Sequence, residues 1–177
     1  MKILIAEDTK DRVLSYTTIL EDRNHQIIAA DNGEDCLCIY HEELQKVRSE
    51  ADASKHIRPF DIVIADYKLP KINGLQVARE ILAVSPRQRV ILASAHFEDE
   101  LIDCVYELER IVELLRKPFT KEVLIETIEE YKEIYDELEK FGMDVIAFKG
   151  AELRYDQLVY ILEVLRQVKK KQQMKAR

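Results

Sequence analysis

The chain has 177 residues, 47% hydrophobic and 34% charged, with a net charge of −7 at neutral pH. That length suits one domain with an appendage, and the apolar fraction suffices for a core. The acidic balance disfavours nonspecific nucleic-acid binding by the whole chain. Three cysteines (Cys36, Cys38 and Cys104) with no CxxC pair argue against a disulfide framework or a zinc site. They read as small buried hydrophobes. The first apolar run, Ile3 to Ala6, is too short for a signal segment. No run approaches the ~20 residues of a membrane span, so a cytoplasmic location with no membrane partner is expected.

Lys2 to Ala6 reads as a buried strand and ends in two adjacent acids, Glu7 and Asp8. The nearest following base is Lys10. Residues 10–22 carry Val13, Leu14, Thr17, Ile19 and Leu20 at helical spacing, which predicts an amphipathic helix. Asn24-His25 is a turn, Gln26 to Ala30 a second strand, and Asp31-Asn32-Gly33 another turn. Cys36, Leu37, Ile39, Tyr40, Leu44 and Val47 keep a helical period that fades into the charged stretch from Arg48 to His56. Pro59 closes it. The segment around 41–58 is longer than a simple crossover needs and is expected to project as extra helical turns and a loop.

Phe60 to Ala65 is an apolar run ending at Asp66, followed by Tyr67-Lys68-Leu69-Pro70. Continuous apolar runs mark strands buried on both faces of a parallel sheet. A carboxylate at the end of such a strand is either a cap for the next loop or a working group. Leu75, Val77, Ala78, Ile81, Leu82 and Val84 predict a helix ending near Ser85-Pro86. Residues 89–94 read as a fourth strand, 98–108 as a helix and 111–115 as a fifth strand stopped by Lys117-Pro118. A last helix is expected from Lys121, capped by Thr120, to about Lys140.

Strand and helix therefore alternate five times. That order predicts an α/β fold with a doubly wound parallel sheet. Ligands bind such sheets at the carboxyl ends of the strands. Glu7, Asp8, Asp66, Ser94 and Lys117 are thereby gathered onto one rim. Three carboxylates together call for a cation. With oxygen donors alone, Mg²⁺ is the natural choice. Lys117 offers a point charge to a phosphate oxygen, and Ser94 a hydroxyl donor. A carboxylate nucleophile, a metal site and a lysine are the components of phosphoryl transfer to aspartate.

The residues Glu7-Asp8, Asp66-Tyr67-Lys68-Leu69-Pro70 with Gly74, Ser94-Ala95 and Lys117-Pro118-Phe119 resemble the receiver domain of two-component response regulators. The resemblance runs from about residue 1 to 130. It implies a flavodoxin-like sheet of strand order 2-1-3-4-5. It further implies a phospho-acceptor at Asp66, served by a histidine kinase or phosphotransfer protein. Mg²⁺ would be held by Glu7, Asp8, Asp66 and the backbone carbonyl of Lys68. The phosphoryl group would be contacted by Ser94, the backbone amide of Ala95, and Lys117. Such a protein is a switch for a downstream protein and not a turnover enzyme, although it can dephosphorylate itself. Phosphorylation is expected to alter the face between the fourth helix and the fifth strand. The Lys117-Pro118 peptide is usually cis in the family. Glu7 stands where aspartate is commoner, and Leu114 where an aromatic switch residue is usual. Lys68 and His96 occupy positions that tune phosphoryl lifetime in relatives.

Residues 131–177 form the remaining extension. Gly142 suggests a helix C-cap, and 144–148 a short strand or linker. Leu153, Leu158, Val159, Ile161, Leu162, Leu165 and Val168 predict an amphipathic helix before a basic tail. Residues 151–177 carry seven basic and three acidic side chains. Three roles stay open for this extension: packing onto the receiver, forming a homodimer or partner-docking hairpin, or contacting DNA through Lys169-Lys170-Lys171 and Arg177. A helix-turn-helix does not fit the length, so DNA binding is disfavoured. The sequence carries no kinase, GGDEF-like or methylesterase output pattern. The alternative to a phospho-switch is a transcriptional regulator or scaffold whose receiver mainly mediates dimerisation. A haloacid-dehalogenase-type enzyme is disfavoured because Lys68 sits where its second acid belongs. A flavin binder is disfavoured because no Ser/Thr/Gly loop follows the first strand.

Overall fold

Apolar runs with no polar interruption account for the centre of the fold. The computed structural model describes residues 1–50, 58–95 and 112–129, with 161 and 164. Five strands, β1 (Lys2–Ala6), β2 (Gln26–Ala30), β3 (Ile62–Asp66), β4 (Arg89–Ser94) and β5 (Val112–Arg116), form one sheet in the order β2-β1-β3-β4-β5. Every neighbouring pair is parallel. Among the described residues, helices α1 (Lys10–Glu21), α2 (Gly33–Glu50) and α3 (Gly74–Val84) lie in the connections from β1 to β2, β2 to β3 and β3 to β4. All five residues of β3 are buried, as are all but the first of β1 and of β4. The edge strands β2 and β5 each bury only one residue fully and leave the others partly or wholly exposed, as edges of a doubly wound sheet do.

The core on the α2/α3 side is built from Leu4, Val63, Val90 and Leu92 of the sheet against Tyr40, Leu44, Val77 and Ile81 of the helices. A buried polar link there ties α2 to the segments that precede β3 and β4. The Tyr40 hydroxyl donates to Gln88 Oε1 at 3.1 Å, and Gln88 Nε2 donates to the Phe60 carbonyl at 3.0 Å. The register of β4 on β5 is pinned by a two-pronged pair, Arg89 Nε to Glu113 Oε1 at 2.6 Å and Nη2 to Oε2 at 2.8 Å. Two-pronged geometry is the strong form of this interaction.

Several bounds differ from the sequence expectation. β3 begins at Ile62 and includes Asp66, because Asp61 is occupied in bonding the amide of Lys2 through its carboxylate at 2.7 Å. α2 begins at Gly33, inside the expected turn. Asn32 caps it, its Oδ1 accepting from the Asp35 amide at 3.0 Å. α1 buries only Leu20, and Leu14 is 67% exposed, so its apolar stripe is narrower than the spacing suggested. Cys36 is buried, but Cys38 lies on the outer face of α2, against the expectation for all three cysteines. Residues 51–57, in which the long second helix was expected to end, lie outside the described residues, as do the helix expected at 98–108, Cys104 and His96.

The chain divides into two compact units, Met1–Lys121 and Glu122–Arg177. The helix expected after Thr120 is present over 121–129, with Leu124 and Ile128 buried. The rest of the extension lies outside the described residues, apart from 161 and 164, both helical. Among the described residues, no helix is long and apolar enough to cross a membrane.

One ion pair fastens β1 to α2. Lys2 Nζ meets Glu43 Oε2, and Lys46 Nζ meets Glu43 Oε1 at 2.7 Å. The hydrogen bond from Lys2, then that from Lys46, lowers the Glu43 carboxyl from 4.5 to about 2. A depressed carboxylate stabilises fully above its ordinary pKa and loses that contribution as pH falls through the folded value. Glu43→Gln is therefore expected to lower stability at neutral pH by about 1 kcal/mol, since the pair is partly exposed and screened. Urea melts at a series of pH values should show the gap closing as pH falls from 4.5 towards 2.

Candidate functional site

Glu7 and Asp8 follow β1 directly, Asp66 ends β3, Ser94 ends β4 and Lys117 follows β5. Parallel register makes these ends coincide. Asp66 pairs with Ala93 across β3 and β4, and Ser94 with Arg116 across β4 and β5. Backbone bonds continue the ladder past the strands, with Tyr67 N donating to Ala93 O at 2.9 Å and Lys117 N to Ser94 O at 2.7 Å. Each side chain on the rim is thus placed by the sheet itself.

Burial is strong for groups of this polarity. Glu7 is 2% exposed, Asp66 7% and Ser94 2%, while Asp8 faces solvent. Buried carboxylates need partners, and these have them. Lys117 Nζ lies 2.5 Å from Glu7 Oε2 and 2.7 Å from Asp66 Oδ2. Asp66 Oδ1 accepts from the Lys68 amide at 3.1 Å. Glu7 Oε1 accepts from the Thr9 amide at 3.2 Å and from Arg12 Nη1 at 3.1 Å. The same Arg12 nitrogen lies 3.5 Å from Asp66 Oδ2.

Glu7, Asp8 and Asp66 each offer a carboxylate oxygen, and the three oxygens lie within 4.8 Å of one another. That all-oxygen set suits a hard divalent cation such as Mg²⁺. The mouth is an open cleft of about 590 Å³. Its lining is Asp8, Thr9, Arg12, Tyr16, Asp66 and Lys68 together with Ser94, Ala95, Lys117, Pro118 and Phe119. Six of the residues expected from the sequence (Asp8, Asp66, Lys68, Ser94, Ala95 and Lys117) therefore meet in one cleft, with Glu7 immediately behind them. The Lys117-Pro118 peptide is cis.

Sequence reasoning missed Arg12 and Tyr16. Lys10, the nearest base after the acid pair, is exposed and is not part of the cleft lining. Arg12 comes one helical turn after Asp8, and Tyr16 one turn further. The i, i+4 spacing of Arg12 and Tyr16 on α1 puts the two on one helix face, but nothing local in the sequence turns that face towards the acids. The Tyr16 ring stacks on Phe119 with centroids 5.1 Å apart. Burial, then the charge of Glu7, raises its hydroxyl to about 12, so it stays a neutral donor. Leu114, in the expected switch position, is a β5 residue, 37% exposed.

Gly74 has a steric reason. A Cβ there would lie 2.3 Å from the carbonyl oxygen of Asp66 and 3.2 Å from Leu92 Cδ2. α3 can start against the end of β3 only without a side chain, and Gly74 N donates to Tyr67 O at 3.1 Å. Gly74→Ala is expected to cost about 1–3 kcal/mol, the usual range for overpacking. Because the clash is with Asp66 itself, it should also slow chemistry at that carboxylate. Denaturant melts and rates of phosphoryl uptake on the same sample check both effects.

With this geometry, residues 3–129 match the family model of the response regulator receiver domain. The chain belongs to that family. This receiver is 26% identical over 128 residues to protein PilH of Pseudomonas aeruginosa, covering 72% of this chain and 93% of that one. It is 25% identical over 131 residues to the chemotaxis protein CheY of Listeria monocytogenes, covering 73% and 96%. Among solved structures, a receiver domain from Clostridium thermocellum aligns with TM-score 0.58 at 26% identity, covering 76% of this chain and 98% of that one. The CheX–CheY–BeF₃–Mg²⁺ complex from Borrelia burgdorferi aligns with TM-score 0.61 at 21% identity, over 74% and 88%, and shares the fold. The family is one of two-component signalling proteins, and receivers such as CheY are signalling proteins and not turnover enzymes.

Proposed function

We propose that this receiver accepts a phosphoryl group on Asp66 from a phosphohistidine of a histidine kinase or phosphotransfer protein. The modified state would then be read by a downstream protein. The observation that carries the proposal is the buried Asp66 carboxylate at the end of β3. Its Oδ2 lies 2.7 Å from Lys117 Nζ, and oxygens of Glu7 and Asp8 lie within 4.8 Å. The receiver proper is taken as residues 1–130 and the extension as 131–177.

In the reaction, an Asp66 carboxylate oxygen attacks phosphorus. A P–O bond forms, the P–N bond to the imidazole breaks, and the leaving nitrogen is protonated from solvent. Glu7, Asp8, Asp66 and the carbonyl of Lys68 would hold Mg²⁺, which supplies charge neutralisation at the phosphoryl oxygens. Lys117 approaches from the β5 side and offsets negative charge at Asp66 Oδ2, where it already sits. The Ser94 hydroxyl and the Ala95 amide line the same cleft as Asp66 and would donate to the phosphoryl oxygens. This division fits phosphoryl transfer, in which the protein mainly positions groups and neutralises charge. The readout face is taken to be β5 and the segment before it.

Incubation with acetyl phosphate and Mg²⁺, followed by intact mass, tests the proposal. One added phosphoryl group is expected, and EDTA should suppress it. Uptake indifferent to EDTA, or none at all, contradicts it.

A further inference from the structure

The acid cluster carries its own cation besides Lys117. A single nitrogen of Arg12 lies 3.1 Å from Glu7 Oε1 and 3.5 Å from Asp66 Oδ2. These are two of the three carboxylates whose oxygens lie within 4.8 Å of one another. We infer that Arg12 is a tethered competitor for the divalent-cation site, occupying Glu7 and Asp66 in the metal-free receiver and leaving when the metal binds. The inference rests on the metal site proposed above.

Three features point the same way. A cation held by Glu7 and Asp66 draws on the same carboxylate charge that now binds the guanidinium, and two cations sharing those ligands repel. Arg12 can leave, because its side chain is 48% exposed and stands on α1 at the cleft mouth. Lys117 is only 10% exposed and remains as the inner counter-charge. Glu7 is also bonded by the Thr9 amide, so its carboxylate stays in place when the arginine departs. The consequence is a metal affinity lower than three clustered carboxylates would otherwise give. The metal-free site meanwhile keeps its buried charges partnered.

The test is Mn²⁺ binding by electron paramagnetic resonance, on the full chain without phosphodonor. Arg12→Gln is expected to bind Mn²⁺ about tenfold more tightly than the parent, equivalent to about 1.4 kcal/mol. Lys10→Gln removes an equal charge from the same helix outside the cleft and should change affinity much less. Arg12→Lys should fall between the parent and the glutamine variant. Equal or weaker binding by Arg12→Gln overturns the inference while leaving the metal site intact. A gain matched by Lys10→Gln overturns it too, since it would then be a long-range field effect. If no variant binds Mn²⁺, the metal-site reading fails together with the inference. Circular dichroism on each variant verifies the fold.

Discussion

Phosphoryl uptake is expected to vanish when Asp66 is replaced by Asn. The substitution keeps the size of the side chain and an oxygen to accept from the Lys68 amide, now 3.1 Å from Oδ1. It removes the anionic nucleophile. A neutral amide does not attack a phosphohistidine or an acyl phosphate at a useful rate. Two opposing electrostatic changes act on the fold. The ion pairs with Lys117 and Arg12 are lost, and so is the repulsion from Glu7 and Asp8. The variant should therefore stay folded, with stability within about 1–2 kcal/mol of the parent. Intact mass after treatment with acetyl phosphate and Mg²⁺, with far-ultraviolet circular dichroism alongside, separates loss of chemistry from loss of structure. A singly phosphorylated Asn variant would sink the assignment.

Lys117→Met should produce the second largest effect, visible in both rate and stability. Lys117 Nζ is shared by two buried carboxylates at 2.5 and 2.7 Å. Removing one member of a buried pair leaves an uncompensated charge, typically at a cost of about 3–5 kcal/mol. Arg12 stays within 3.1 and 3.5 Å of the same two groups, which should bring the loss below that range. Mg²⁺ offsets the same charges, so it should raise the melting temperature of the methionine variant more than that of the parent. The rate of uptake should drop by about a hundredfold or more, the usual effect of deleting a preorganised donor at a developing charge. Thermal melts with Mg²⁺ or EDTA, and uptake time courses by mass, measure the two effects. A variant of parental rate would remove Lys117 from the chemistry.

The sequence exposes some parts of this site more readily than others. β1 and β4 could be bounded to the residue, because a strand covered on both faces leaves an unbroken apolar run. The Glu7-Asp8 pair, Asp66 and Ser94 each stand at the end of such a run, Lys117 follows the edge strand β5, and alternation of strand and helix then places them on one rim. Contacts set by distant backbone were not legible. α2 starts at Gly33 where a Cβ would lie 2.0 Å from the carbonyl oxygen of Ile72, and only the folded β3–α3 loop imposes that. Gly74 could be recognised in a motif, but its steric cause lies in Asp66. Arg12 looked like any polar residue on a surface helix, since nothing local says that its side chain turns towards Glu7. Leu14 failed in the opposite sense, satisfying the helical period while lying 67% exposed.

Borohydride trapping addresses the central claim most directly. Hydride reduces an aspartyl phosphate to homoserine, and peptide mapping then reads the position of the modified carboxyl group. After acetyl phosphate and Mg²⁺, homoserine is expected at residue 66 alone, and none after acetyl phosphate with EDTA. Reduction products at Glu7 or Asp8, or an unmodified residue 66 in a chain that has taken up phosphate, would contradict the account.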